Sequence, residues 1–124
     1  MNAVTIILAI GIAVAMGAIT ANAQEINEPE LTGPLKLGAF TYALKCSACH
    51  GGKAQGTDKG PPFLSRIYEP GHHPDEAFYR AARNGARAHH WNFGDMPPVD
   101  SITDQQIGLI VQYVRAMQRA NGID

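Results

Sequence analysis

Two cysteines and a histidine lie within five consecutive residues, Cys46-Ser47-Ala48-Cys49-His50, at a spacing that can carry chemistry. On a helical turn, thiols three residues apart lie on the same side, where each can add to one vinyl group of a porphyrin. The histidine that follows then presents a ring nitrogen to the metal. C-x-x-C-H is the attachment pattern of c-type haem. The motif predicts one covalent haem c, with thioethers from Cys46 and Cys49 and iron bound by His50.

Three other chemistries could use these two cysteines. A structural zinc site needs two more ligands at a spacing such as H-x₃₋₅-H, whereas His72-His73 and His89-His90 are adjacent pairs. A thioredoxin-like redox pair requires a βαβ context, and the sequence predicts no strand. A disulfide would suit an exported protein, but it gives no role to His50 or to the long loops. Haem attachment explains the motif best.

The second axial ligand of the iron must come from another part of the chain. Residues 24–124 contain two methionines. Met117 falls on the apolar stripe of a predicted helix, where a core role is expected. Met96 precedes Pro97, and a residue before proline is disfavoured in helical geometry, so its side chain can project from an extended loop. Because His/Met ligation suits electron transfer, we expect Met96 to bind the iron. The alternatives are four loop histidines: His72, His73, His89 and His90.

Periodicity and capping signals predict the helices that position these residues. The first begins near Pro34, since proline suits the first helical turn, and carries Gly38, Tyr42 and Cys46 on one face. A second helix follows Pro74 and stops at Asn84-Gly85. The last opens with a capping box at 103–106 and ends at Asn121-Gly122. Its apolar stripe consists of Ile107, Ile110, Val111, Val114 and Met117.

Long loops at 51–62 and 86–101 are rich in glycine or proline and show neither a helix period nor a strand period. Loops of that length in a small chain are usually functional, here as segments that wrap a ligand. We therefore predict an all-α fold in which three or more helices, joined by long loops, surround one covalently bound haem.

The order of these motifs resembles the class I, mono-haem cytochrome c family from about Leu35 to Gln118. The residues that carry the resemblance are Gly38 and Tyr42, the pair Gly60-Pro61, Met96 beside proline, and Ile110 and Tyr113 near the C-terminus. The resemblance implies the cytochrome c fold, with the first and last helices crossing. It also implies that the Pro61 carbonyl accepts a hydrogen bond from His50, and that Trp91 donates its indole N–H to a haem propionate.

The N-terminal residues resemble a secretory signal, because an apolar run from Ala3 to Ile19 is followed by Ala21-Asn22-Ala23. We predict a signal peptide at 1–23, a flexible lead-in at 24–33 and a cytochrome c domain at 34–124. Cleavage would leave no membrane span and an exported, for example periplasmic, protein. Without cleavage, the apolar run would be a marginal single-span anchor.

A formal net charge of −1 gives no reason to expect nucleic acid as a partner. The expected function is that of an electron carrier, not an enzyme, which meets redox partner proteins as a monomer or as a subunit of a redox complex. The alternatives are a haem subunit of a larger oxidoreductase, or an open-site haem enzyme or sensor if Met96 does not bind the iron.

The basic residues expected to steer an acidic partner are Lys45, Lys53, Arg80, Arg83 and Arg87.

Overall fold

The computed structural model describes residues 25–124, and its regular structure is helical. In chain order the elements are α1 (Gly33–Lys45), α2 (Ser47–His50), a 3₁₀ turn (Arg66–Tyr68), α3 (Asp75–Asn84) and α4 (Asp104–Ala120). The described residues contain one isolated bridge but no β-strand, so the predicted all-α class is confirmed. Within this range no helix combines the length and apolar character needed to cross a bilayer. The predicted signal peptide at 1–23 lies outside the described residues.

The C-terminal helix α4 begins with the predicted capping box. The Thr103 hydroxyl accepts a hydrogen bond from the Gln106 N–H, and the Gln106 side chain accepts one from the Thr103 N–H at 2.9 Å. These two bonds satisfy two of the donors that a helix start leaves without partners. The predicted apolar stripe, Ile107, Ile110, Val111, Val114 and Met117, is buried throughout.

Helices α1 and α4 cross closely at Gly38, as the resemblance implies. A Cβ atom on Gly38 would clash with the Leu109 carbonyl and would lie 3.1 Å from the Tyr113 Cβ, so a residue without a side chain is needed there. One turn further along α1, the Tyr42 ring packs against Tyr113 with 5.2 Å between ring centroids. Both tyrosines are buried, and the crossing forms one side of the core.

The predicted first helix is interrupted at Cys46, where the backbone φ of −125° departs from helical geometry. Helix α1 therefore ends at Lys45, and the rest of the motif forms the short helix α2. The Cys46 N–H still donates to the Tyr42 carbonyl at 2.8 Å, and the His50 N–H donates to the Cys46 carbonyl at 2.9 Å. The motif is thus one hydrogen-bonded turn that is separate from α1.

Helix α3 lies on the other side of α4 and separates the two longest loops. Pro74 caps its start in an extended conformation, and Gly85 ends it with a φ of +76°. Ala82 is buried, whereas Arg80 and Arg83 are exposed. The helix begins and ends where the sequence signals place it.

The lead-in expected to be flexible is attached to the fold in its described part, residues 25–32. The Asn27 N–H donates to the Asn121 side chain at 3.0 Å, and the Asn121 amide donates back to the Asn27 carbonyl at 2.8 Å. Ile26 packs against the core, and Glu28 pairs with Lys53 at 2.5 Å. The two asparagines are 94 residues apart, so local sequence patterns do not indicate these contacts.

Candidate cofactor site

A cavity of about 490 Å³ opens between the C-x-x-C-H turn, helices α3 and α4, and the loops on either side of α3. Its volume lies within the range of about 300–1,000 Å³ that cofactor sites occupy, and its wall is mostly apolar. Five residues predicted to form a site line it together: Cys46, His50, Pro61, Trp91 and Met96. The sixth, Cys49, is exposed on the same turn as Cys46 and His50.

His50 is held rigidly in this wall. Its side chain is buried, its Nδ1 atom lies 2.9 Å from the Pro61 carbonyl oxygen, and its ring stacks on Phe63 at 4.2 Å between centroids. Because a carbonyl only accepts, Nδ1 carries the proton and donates, which leaves the Nε2 lone pair free. Burial lowers the pKa of His50, and the hydrogen bond to Pro61 opposes that shift. The imidazole is therefore neutral at neutral pH and suited to bind a metal.

The two cysteines are not joined in a disulfide; Cys46 is partly buried and Cys49 is exposed. Burial, followed by the charge of a nearby Cys49 thiolate, raises the pKa of Cys46 to about 11. Reactive redox cysteines instead have a lowered pKa that supplies the thiolate. The environment of Cys46 therefore argues against a thioredoxin-like pair and is compatible with a sulfur that becomes a neutral thioether.

Met96 reaches the cavity because its segment is fixed against the end of α3. The Met96 N–H donates to the Ala86 carbonyl at 2.8 Å, and the Ala86 N–H donates to the Met96 carbonyl at 3.0 Å. A Cβ atom on Gly85 would lie only 2.5 Å from the Met96 carbonyl oxygen. Glycine at position 85 therefore permits both the positive φ that ends α3 and the close approach of Met96.

Trp91 presents an unused hydrogen-bond donor at the cavity. Its Nε1 atom is buried and makes no hydrogen bond to any described residue, which costs about 1–3 kcal/mol. Burial raises the pKa of the nearby Tyr68, and the Trp91 N–H partly offsets that shift, although its geometry toward the Tyr68 hydroxyl falls short of a hydrogen bond. A bound group with an acceptor at its edge, such as a propionate, would satisfy this donor. The thiols, the neutral imidazole, the apolar wall and this donor all fit a haem.

These features define a class of protein: a small helical domain that holds haem covalently through one C-x-x-C-H turn. The model of the cytochrome c family, described as Cytochrome c, matches residues 35–118, and the chain belongs to that family. It accordingly binds haem c with its iron, and its general role is that of a haem-binding electron carrier. Comparisons with curated protein sequences and with solved structures gave no significant match.

Sequence reasoning missed a buried arginine beside the site. Arg115, 7% exposed, points from α4 toward the loop that leads into α3. Its guanidinium donates to the Asp75 carboxylate at 2.8 Å, to the Tyr68 carbonyl at 2.6 Å and to the His73 carbonyl at 2.5 Å. A single side chain thus fixes two points of the loop that forms part of the cavity wall and the first residue of α3.

Gln118 continues this network one turn later. Its side-chain amide donates to the Phe63 and Tyr68 carbonyls, each at 2.9 Å, and its oxygen accepts from Arg115 at 2.7 Å. The residue is 1% exposed. A signal was present in the sequence, because Gln118 follows Val111 by seven residues and Val114 by four, and so falls on the apolar stripe.

The structure also brings together the two histidine pairs, which sequence reasoning assigned to loop surfaces. His72 and His73 precede α3, and His89 and His90 follow it. The Nε2 atoms of His72 and His90 are 3.3 Å apart, and the rings of His73 and His90 lie 5.3 Å apart. The sequence contained one indication, because a histidine pair lies on each side of a ten-residue helix. Only the fold shows that the two loops meet.

The five basic residues expected to steer a partner do not act as one patch. Three have contacts within the fold: Lys45 with the Asp100 carbonyl, Lys53 with Glu28, and Arg83 with Asp104. The other two, Arg80 and Arg87, are exposed, border the cavity and form no ion pair among residues 25–124. Of the five, Arg80 and Arg87 are the two that border the cavity.

Proposed function

We propose that this protein carries single electrons between redox partners through a haem c whose iron is bound by His50 and Met96. The observation that carries the proposal is that both side chains line one cavity, together with the thiol of Cys46. When bound, haem c supplies the Fe(II)/Fe(III) couple, and a methionine ligand raises its potential. With two protein ligands on the metal, no position is open to substrate, so transfer is outer-sphere.

The chain's own contribution is to keep the ligands fixed. The Pro61 carbonyl orients the His50 ring through Nδ1 and increases the basicity of the ligating nitrogen. The two backbone bonds to Ala86 fix the segment that carries Met96. A ligand set that moves little between oxidation states lowers the structural cost of each transfer, and the apolar wall limits access of water.

Histidine is the rival for the second axial position, because His73, His89 and His90 also border the cavity. Two observations favour Met96. Its side chain is partly buried, whereas His89 and His90 are exposed. The backbone of Met96 is also hydrogen-bonded to that of Ala86 in both directions, which limits the movement of the segment that carries the thioether. These arguments make Met96 the proposed ligand.

The test compares the two methionines of the described chain. In the oxidised holoprotein we expect a low-spin spectrum with the weak Met-to-Fe(III) charge-transfer band. Met96→Leu should remove that band and lower the midpoint potential by on the order of a few tenths of a volt, within the span of about 0.8 V set by axial ligands. Met117→Leu is the control, since Met117 is fully buried in the core and should keep both properties.

Three results would contradict the proposal. A Met96→Leu protein that retains the band would exclude Met96 as ligand, and a wild-type protein without the band but with low-spin iron would indicate a histidine. High-spin iron in the wild type would instead indicate an open site and therefore an enzyme or sensor.

We further propose that Arg80 and Arg87 attract an acidic redox partner to this edge of the molecule. Small redox reagents can probe that charge without a known partner. Electron transfer to ferricyanide, an anion, should slow as salt rises, because salt screens attraction, whereas transfer to a cationic cobalt complex should quicken. The Arg80→Ala, Arg87→Ala double variant should reduce both slopes, and Arg119→Ala, on the exposed part of α4, should not. If the salt dependence of the rate were the same in the Arg80→Ala, Arg87→Ala variant as in Arg119→Ala, the assignment would be contradicted.

Export is also part of the proposal: residues 1–23 are removed, and the mature chain begins at Gln24. Support comes from the Ala21-Asn22-Ala23 sequence and from the family, whose members are typically exported. Intact-mass spectrometry of the mature protein should show the chain from Gln24 plus one haem. A mass that includes residues 1–23 would indicate an uncleaved anchor.

A further inference from the structure

We propose that His72, His73 and His90 form a binding site for a divalent transition-metal ion of the class that prefers imidazole, represented by Zn²⁺. One potential ligand atom from each histidine lies within 4.8 Å of the other two. The site is separate from the axial residues, because none of its members is His50 or Met96. The inference goes beyond electron transfer, and it rests on the proposed ligation by Met96, because an iron bound by His73 or His90 would take a ligand from this site.

The spacing of two of these nitrogens matches a coordination sphere. The Nε2 atoms of His72 and His90 lie 3.3 Å apart. Two nitrogens bound to tetrahedral zinc at 2.0–2.1 Å are separated by about 3.3–3.4 Å. A hydrogen bond between two neutral imidazoles would use one lone pair and one proton, whereas a metal ion would use both lone pairs. The separation of the pair therefore already equals that of two nitrogens bound to one zinc ion.

The third histidine is already oriented. His73 Nδ1 donates to the Ile67 carbonyl at 2.5 Å, which leaves Nε2 as the atom that can bind. Metal-ligating histidines commonly donate their other ring N–H in this way, which fixes the tautomer and raises basicity. The His73 carbonyl is in turn held by Arg115, so both the ring and the backbone are positioned from inside the fold.

Two separate loops supply the ligands, and each is held by hydrogen bonds that backbone N–H groups donate. The N–H groups of His72 and His73 both donate to the Glu69 carbonyl, at 3.0 and 2.8 Å. On the other loop, the Ala88 N–H donates to the Asp95 carboxylate at 2.9 Å, close to the position of His90. An ion bound here would join the two loops that border α3, with water completing its coordination.

His89 provides a matched control because it is adjacent to the proposed ligands but is not one of them. Its Nδ1 lies 2.7 Å from the Arg87 carbonyl, and its ring lies 4.3 Å from that of His90 without belonging to the cluster of three ligand atoms. Replacement of His89 removes an imidazole of the same chemistry from the same exposed loop. It should therefore separate binding at the three-histidine site from general attraction of metal to histidine.

The experiment titrates Zn²⁺ into the oxidised holoprotein, purified without a polyhistidine tag, by isothermal titration calorimetry. We expect one ion per chain. His72→Ala and His90→Ala should each weaken binding at least about 100-fold, since loss of a ligand exceeds the 10–100-fold effect of losing a ligand's hydrogen-bond partner. His89→Ala should change affinity by no more than a few-fold. Unchanged haem absorption and circular dichroism would show that each variant is folded.

Two outcomes of the titration would overturn the site. One is an absence of saturable binding to the wild type at micromolar to millimolar Zn²⁺. The other is equal loss of affinity in His89→Ala and His90→Ala, which would show that the three histidines are not a defined ligand set.

A second readout places the ion beside the haem cavity, which His73 and His90 also border. Positive charge there disfavours Fe(III) more than Fe(II), so saturating Zn²⁺ should raise the midpoint potential of the wild type. By linkage, the reduced protein should bind Zn²⁺ more tightly. The rise should be largest at low ionic strength and absent in His90→Ala. A rise of equal size in His90→Ala would overturn the assignment.

Discussion

The two sides of α4 differ in what completes them. On one side, the crossing region (Gly38, Tyr42 and Tyr113) is closed by protein atoms alone, with backbones in close approach and aromatic rings in contact. On the other side, the cavity region (residues 51–74 and 85–102) surrounds about 490 Å³ and leaves the Trp91 N–H without a partner. The crossing region is thus specified by side-chain packing, whereas the cavity region is complete only with a bound group.

The largest effect should follow from loss of haem attachment. Cys49→Ser removes one thioether, and the cavity region then lacks the group around which it packs. Because a domain of about a hundred residues buries a limited share of its surface, we expect little folded protein to accumulate after export. Haem content by absorption and helicity by circular dichroism measure this. Ser47→Ala, at the first x position of the C-x-x-C-H motif, should retain haem and helicity.

A compact and cooperatively unfolding Cys49→Ser protein without haem would contradict the comparison. It would show that the crossing region alone can stabilise the chain, and that the loops do not need the haem to fold.

A smaller effect should follow from adding a side chain where helices α1 and α4 cross. Gly38→Ala places a Cβ against the Leu109 carbonyl, and overpacking of backbone against backbone should cost about 3 kcal/mol of unfolding free energy. Gly108→Ala is the matched control on α4, because its Cβ would meet only the Tyr79 hydroxyl end of a side chain. That change should be neutral or stabilising by up to about 1 kcal/mol through helix propensity. Guanidinium unfolding of the holoprotein gives both values, and equal losses would show that the crossing is not tight.

Next in size is the link between the two regions. Arg115→Met leaves the His73 carbonyl without its buried donor and the Tyr68 carbonyl with only the Gln118 amide, which should lower the unfolding free energy by about 2 kcal/mol. Arg115→Lys should not restore it, since an ammonium cannot reproduce the planar fork. Arg119→Met, exposed on the same helix, should change stability by less than about 0.5 kcal/mol. If Arg115→Met also lowered the unfolding free energy by less than about 0.5 kcal/mol, the hydrogen bonds of Arg115 would add no stability beyond side-chain packing.

The crossing region was more predictable than the cavity region, for a physical reason. Helix α4 carries its own signals, a capping box and an apolar stripe, and Gly38 and Tyr42 fall on one face of α1. Those patterns depend on neighbours three to seven residues apart. The cavity region instead depends on pairings such as Arg115 with Tyr68, 47 residues apart, which leave no local period.

The same distinction applies within the site. The C-x-x-C-H turn places Cys46, Cys49 and His50 by local geometry, so their proximity followed from spacing. The meeting of His72 with His90 depends on how two loops fold around α3, and no short-range pattern encodes it. The break at Cys46 was also missed, because the residue keeps its hydrogen bond to Tyr42 while its dihedral angles change.

The smallest effect tests a single hydrogen bond where the two regions meet. The Tyr42 hydroxyl, buried in the crossing region, donates to the Gly51 carbonyl at 2.8 Å at the start of the first long loop. Tyr42→Phe should therefore cost about 1 kcal/mol of unfolding free energy at pH 7. Tyr79→Phe, on the more exposed α3, should leave stability at pH 7 unchanged.

The difference in stability between wild type and Tyr42→Phe should depend on pH, and this dependence is a sharper test than the size of the difference. Burial is the largest cause that raises the pKa of Tyr42 above its usual value of 10.0. In the unfolded chain the phenol ionises near pH 10 while the folded protein keeps its proton, so rising pH favours unfolding. The stability advantage of wild type over Tyr42→Phe should then shrink above pH 10, and other alkaline effects cancel because both proteins share them. A constant difference up to pH 11 would show that the hydroxyl titrates as freely in the fold as outside it, and that the contact with Gly51 does not join the two regions.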